Sequence, residues 1–263
     1  MPFGYIARLP PYAERAMSAP SILSKGLRRS DNPPFGVVHE KRSGPPMIIP
    51  FISEELFQPS DDQQVRFEDG VLIVDNWYRN FEDIRTVLTN MPVPRWKWAP
   101  TGRNFVDYYD CRPSIPGHWV TDQAFNGINQ IISYIKLFFR DASPLGLMNH
   151  LYEFNYFRNI RTDVPNTLQH HPHTDFRYNC VVYIDEVCSG GAALYEPATV
   201  PNTEEQNLLY DVSRIGRRII ASKPNRLAVF SGKQLHGGYI EDHNAYLSEW
   251  RINHIMFFDE KKG

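Results

Sequence analysis

Cysteine is scarce in this chain: there are three, Cys111, Cys180 and Cys188, and no two stand at a CxxC spacing. Three thiols cannot all pair, and the spacing excludes a zinc knuckle or a dithiol redox motif, so buried free thiols are expected. Long uncharged runs are also missing. The longest stretch free of Asp, Glu, Lys and Arg is thirteen residues, Gln123 to Ile135, whereas a membrane-spanning helix needs about 20; no membrane partner is expected. The opening MPFGYIARLPPY has no charged stretch followed by an apolar run and a small-residue cleavage site, which gives no sign of secretion and leads to an expected cytoplasmic location. Charge of one sign is not in excess: the net is −2, which speaks against an extended nucleic-acid footprint. There is no HExxH motif, internal repeat or low-complexity tract.

What is present is ordinary globular material. Of 263 residues 42% are hydrophobic, with 16 Phe and 14 Tyr, enough for the core of one large domain. Ten of the 21 prolines fall in the first 60 residues, where regular helix or central strand is hard to sustain. We therefore expect an extended arm over 1–60, able to lie across a partner subunit of a homodimer or over the mouth of a site, followed by one domain over 61–263. Gly70-Val-Leu-Ile-Val74 reads as a buried strand. Asn80 followed by Phe81, Ile84, Val87 and Leu88 reads as a capped amphipathic helix over about 80–90, and apolar positions from Phe125 to Phe138 give a second helix over about 121–139. From Met148 the pattern changes to seven short aromatic and β-branched runs: LYEFNYF, YNCVVYI, GAALYE, RRIIAS, RLAVF, GGYI and WRINHIMFF. They predict an antiparallel sandwich or barrel. An insertion at about 198–216 carries Thr203-Glu-Glu-Gln-Asn-Leu-Leu-Tyr210, which reads as a short capped helix.

The chemistry concentrates in Gln169-His-His-Pro-His-Thr-Asp175. On an extended segment positions i and i+2 point the same way, so His173 and Asp175 can converge on one metal. Downstream, Leu227-Ala-Val-Phe-Ser-Gly-Lys-Gln-Leu-His236 places His236 just past an apolar strand. Two imidazoles and a carboxylate on one face leave the opposite face of a ferrous ion open for a co-substrate and oxygen. Zinc competes, because a His₂-carboxylate set is also hydrolytic. Arg251, fifteen residues beyond His236, begins an aromatic-rich strand. A buried guanidinium needs a carboxylate or phosphate against its fork; a small diacid would serve, and so would a protein carboxylate such as Glu249.

His173-x-Asp175, His236 and Arg251, spread over strand-like runs in this order, resemble the iron(II)/2-oxoglutarate-dependent dioxygenases, most closely their prolyl-hydroxylase-like branch. The resemblance covers about Leu151 to Phe258 and includes YEFNYF, CVVYID, Gly190-Gly191, NRLAVFSGKQLHGG and EWRINHIMFF. It implies a mainly β fold with flanking helices around a double-stranded β-helix (jelly-roll or cupin-like) core. It further implies Fe(II) held by His173, Asp175 and His236, and 2-oxoglutarate anchored by Arg251 and Tyr183, with Tyr156 near the co-substrate. Asn253 should share the face of Arg251 and line the same pocket. The implied activity is hydroxylation of a C–H bond of an amino acid, peptide residue or small metabolite, using O2 and yielding succinate and carbon dioxide. Asp175 itself favours oxygenation over halogenation, since related halogenases carry a small residue there. The insertion and the first 60 residues match nothing in the family.

Other residues are read more plainly. His170 and His171 are loop histidines, either supporting the site or solvated, and His254 should pack on the outer face of its strand. His118 and His243 carry no signal. Arg177 could meet a substrate carboxylate or simply face water, and Trp96, Trp98, Tyr108 and Tyr109 form either a substrate wall or core. The competing functions are a non-catalytic, cupin-like metal- or ligand-binding module and a zinc-dependent hydrolase.

Overall fold

The computed structural model describes residues 54–90, 109–116, 126–141, 146–159, 161–196 and 209–260. Most of the proline-rich arm, residues 198–208 of the insertion, and Trp96, Trp98, Tyr108 and His118 lie outside that set. A short 3-10 turn, Glu54–Phe57, opens the packed chain, and its Phe57 ring is buried against Tyr78, Phe154 and His254. The core therefore reaches back into the last residues of the segment read as an arm.

Strands β1 (Gln64–Glu68) and β2 (Val71–Asp75) form a hairpin. Its turn residues Asp69 and Gly70 have φ of 49° and 77°, the left-handed pair that a tight two-residue turn requires. Helix α1 (Phe81–Asn90) follows, then β3 (Tyr109–Pro116) and helix α2 (Asn126–Phe138). The rest is β4 (Leu147–Asn159), β5 (Leu168–His170), β6 (Tyr178–Tyr183), β7 (Gly191–Tyr195), β8 (Leu209–Asp211), β9 (Arg217–Ala221), β10 (Leu227–Ser231), β11 (His236–Tyr239) and β12 (Arg251–Glu260).

The strands form a seven-stranded sheet in the order β1-β2-β10-β6-β12-β4-β3, a three-stranded sheet β11-β7-β9, and a ribbon β5-β8. A bridge between His173 and His236 joins the ribbon to β11. From β4 to β12 the chain crosses between the two layers, so β10-β6-β12-β4 faces β9-β7-β11-β5. That winding is a double-stranded β-helix, with β1, β2 and β3 extending its larger sheet.

Period-two alternation assigns each side chain of the large sheet to one of two layers. Cys180, Val182, Leu227, Val229, Ile252 and Met256 face outward and pack with Phe81, Ile84 and Leu88 of α1 and Ile131 and Ile135 of α2. Tyr183, Ala228 and Phe230 face inward and pack on Ala192, Leu194 and Ile220 of the small sheet. The inward layer is where the chemical groups of β6, β11 and β12 meet.

Four strands differ from the sequence reading. β1 is exposed along most of its length and shows no alternation. β3 contains Pro113 and is an edge strand with a register shift beside that proline; edges and bulges are where a missing N–H is tolerated. β5 and β8 are three residues each. Of the helix expected over 203–210, residues 203–208 lie outside the described set; its last two, Leu209 and Tyr210, belong to β8 and pair with His170 and Gln169, so cross-strand pairing takes over there.

Candidate metal centre

Backbone pairing brings the two imidazoles together. His173 and His236 exchange both amide bonds, at 2.8 and 2.9 Å, and directly paired residues in an antiparallel ladder place their side chains side by side. The ring centroids lie 4.7 Å apart. Two residues on, the Asp175 amide donates to the Gly232 carbonyl at 2.9 Å, which turns its carboxylate to the same side. Asp175 Oδ2 stands 3.4 Å from His173 Nε2 and 3.3 Å from His236 Nε2. One donor atom from each residue falls within 4.8 Å of the others, the spacing of a single cation site.

The ring tautomers are fixed from behind. His173 Nδ1 lies 2.8 Å from the His171 carbonyl, and His236 Nδ1 lies 2.8 Å from the Gln234 carbonyl. A carbonyl only accepts, so each Nδ1 carries the proton and each Nε2 presents a lone pair inward, the arrangement of metal-binding histidines. Burial opposes the charged form of Asp175, but bonds and charge from His173 and His236 outweigh it and hold the carboxyl well below its ordinary range. Burial likewise disfavours protonated His173, yet the Asp175 carboxylate raises its pKa. His170 packs edge-on against His173 at 5.2 Å, and burial followed by the neighbouring His173 and His171 depresses its pKa to about 3. His170 is thus a neutral wall of the site, while His171 serves it through its carbonyl.

A second polar group lies further along the same interior. Arg251 is 3% exposed; it donates one bond, Nη2 to the Gly191 carbonyl at 2.6 Å, and lies over the Phe157 ring at 5.0 Å. Among the described residues no carboxylate pairs with it, Glu249 included. Its strand is held by Asp185, which accepts from the Ile252 amide, the Tyr246 hydroxyl and the Cys188 amide. Tyr183 pairs in register with Asn253, two residues from Arg251. The Tyr183 hydroxyl and Asn253 Oδ1 are both buried without a partner among the described residues. Burial pushes the Tyr183 phenol well above its usual range, with the Arg251 charge working the other way.

A guanidinium and a phenol with unused donors thus lie in one interior, a pair suited to one carboxylate ligand, while the Asn253 Oδ1 beside them can only accept. A Cβ built on Gly238 would meet Arg251 Nη1 at 3.8 Å. Gly238 is two residues along β11 from His236, about 7 Å by strand rise.

The remaining sequence candidates are placed as follows. Tyr156 lies on β4 opposite Ile252; its side chain is outside the described set, as is that of Tyr109. His254 does face outward, buried between Phe154 and Tyr78, with Nδ1 bonded to the Tyr78 hydroxyl. His243 is buried and bonds the Leu168 carbonyl. Arg177 is a structural clamp, paired with Asp141 and Glu260, so neither proposed use, a substrate contact or plain solvation, describes it. Sequence reasoning missed Asn179. It is a buried amide in the middle of an apolar strand, and its Nδ2 lies 3.1 Å from Asp175 Oδ2 and 2.7 Å from His236 Nε2. An amide inside YNCVVYI, four residues past Asp175, was the available signal.

No family model and no curated protein matches the chain. Solved structures do. A 2OG-Fe(II) oxygenase family oxidoreductase from Burkholderia pseudomallei is 12% identical over 74% of this chain and 87% of its own, with a TM-score of 0.40. HygX from Streptomyces hygroscopicus, solved with nickel, 2-oxoglutarate and hygromycin B, is 12% identical over 73% of this chain and 86% of its own, with a TM-score of 0.45. A Pseudomonas putida prolyl-4-hydroxylase is 12% identical over 59% of this chain and 75% of its own, at 0.31. Likeness at this level assigns no activity, and the functional reading rests on the chain's own side chains.

Proposed function

We propose that the protein is an iron(II)- and 2-oxoglutarate-dependent oxygenase that hydroxylates an unactivated C–H bond of an amino acid, a peptide residue or a small metabolite. The observation that carries this reading is Arg251: a buried guanidinium without a carboxylate partner among the described residues, in the same interior as a His-Asp-His cluster. A binding module or a hydrolase has no use for that pairing, whereas a keto-diacid has one end for a metal and another for a guanidinium.

The donor set fits the cation. His173 and His236 offer Nε2 atoms oriented by their Nδ1 bonds, and Asp175 offers a carboxylate that stays ionised at neutral pH. When bound, iron(II) supplies the O2 chemistry that couples decarboxylation of 2-oxoglutarate to succinate with oxidation of the substrate. Arg251 holds the distal carboxylate by charge, Tyr183 donates its hydroxyl to the same group, and Asn253 stands beside them. Phe230, Ala192 and Leu194 seal this interior against water, which strengthens each of those contacts.

The test is metal-dependent succinate formation from 2-oxoglutarate, with mass spectrometry of candidate substrates for the gain of one oxygen atom. Asp175→Ala and His236→Ala should abolish turnover; full activity in either would remove the ligand assignment. Arg251→Ala should weaken 2-oxoglutarate binding at least about tenfold, the loss of a charge-assisted contact of some 1.5–3 kcal/mol. Binding of 2-oxoglutarate to the nickel-loaded variant with unchanged affinity would break the co-substrate reading while leaving the metal site standing.

A further inference from the structure

Asn179 is the polar group that this reading leaves unexplained. It is 3% exposed and sits on β6 facing the triad. Its Nδ2 is 2.7 Å from His236 Nε2 and 3.1 Å from Asp175 Oδ2. His236 Nδ1 carries the ring proton, so its Nε2 accepts from Asn179 Nδ2. Meanwhile Asn179 Oδ1 is buried with no partner among the described residues.

Two features bear on that orphan oxygen. Donor atoms at right angles around one ion, each bound at about 2.1 Å, stand about 3 Å apart, and the amide head keeps that spacing from two triad atoms at once. In addition, a Cβ on Gly232 would meet Phe176 O at 2.1 Å and Asn179 Oδ1 at 2.5 Å, so two carbonyl oxygens close on one gap. A half-turn of the amide exchanges its N–H₂ and C=O ends in place. It turns N–H₂ toward the Phe176 oxygen and C=O toward the triad. Without a cation that orientation sets an oxygen against a nitrogen lone pair and a carboxylate; with one, all three become donors to the same ion.

We propose that Asn179 is a fourth protein ligand of the cation site, a neutral amide oxygen presented by Oδ1 once the cation takes the His236 lone pair. The inference rests on the metal reading of the triad. It predicts a site tighter than three ligands provide, with one coordination position held by a weak, displaceable group.

Cobalt(II) is the probe, titrated into the metal-free full-length chain with calorimetry and visible ligand-field absorption as readouts. Asn179→Leu removes both polar atoms and should bind cobalt about tenfold more weakly, with a changed absorption spectrum. Asn179→Asp keeps the shape and offers oxygen at both ends, so it should bind as tightly as the wild type or more tightly. Should Asn179→Leu fail to fold, the near-isosteric Asp variant decides alone, because a loss of affinity there would mean that the amide acts as an N–H donor. Wild-type affinity and spectrum in Asn179→Leu would equally overturn the proposal. If the wild type takes up no more cobalt than His236→Ala, the triad reading falls and the inference falls with it; that outcome is separate from one in which only the Asn179 variants fail to differ.

Discussion

A phenol hydroxyl buried without a partner, as at Tyr183 among the described residues, costs the fold about 1–3 kcal/mol of desolvation. If its purpose is to meet a ligand carboxylate, stability and binding must change in opposite directions when it is removed. Tyr183→Phe should raise the melting temperature by a few degrees and lower 2-oxoglutarate affinity about tenfold, read by thermal melts and calorimetry on the nickel-loaded protein. A variant that melts lower and binds equally well would place the hydroxyl in the scaffold instead. His254 gives a pH prediction. Burial drops its pKa to about 3, against about 6.5 in an unfolded chain. Between those values the unfolded state binds more protons, so stability rises with pH across that window and is lost as pH falls through it. His254→Phe should flatten the acid limb of a stability–pH curve, and an unchanged slope would count against a neutral, buried imidazole.

These side chains were unequally legible. His173-x-Asp175 and His236 have a fixed local spacing, so the chain displays them. Asn179 has none; an amide in an apolar run carries meaning only once the opposite sheet is in place. Arg251 was visible as an odd charge in a strand, but that no carboxylate among the described residues pairs with it emerges only from the fold.

At the scale of elements, the Gly190-Gly191 pair sets the entry to β7. Gly191 has φ of +148°, and a Cβ there would lie 1.9 Å from the Ile220 carbonyl; its own carbonyl accepts from Arg251. Gly191→Ala should destabilise the protein by at least about 2–3 kcal/mol and weaken 2-oxoglutarate binding, measured by denaturant unfolding and calorimetry. The strands flanking that pair were readable because each is an apolar run bounded by turn residues. β5, β8 and β3 were not: three residues show no period, and a proline inside a run signals a strand only where an edge is known. β1 escaped for a related reason, since a ribbon exposed on most positions has no alternation to detect.

For the whole molecule, the layered arrangement puts the donors on four separate segments: the stretch after β5, the start of β11, and the strands β6 and β12. Anything that bridges them stabilises the folded chain and not the unfolded one. Nickel with 2-oxoglutarate at one hundred times the dissociation constant should add about 2.7 kcal/mol, seen as a higher melting temperature that Arg251→Ala reduces; the same rise in the variant would separate the two sites. Among the described residues no helix is long and apolar enough to cross a membrane.

The paired amides of His173 and His236 join the β5–β8 ribbon to the small sheet, and those same two residues carry the imidazoles. Opening that seam and dismantling the cation site are therefore one motion. Amide hydrogen exchange at these two positions should slow sharply when nickel is added, while amides in the middle of β6 and β12 keep their rates, making the seam a local gauge of occupancy that needs no substrate.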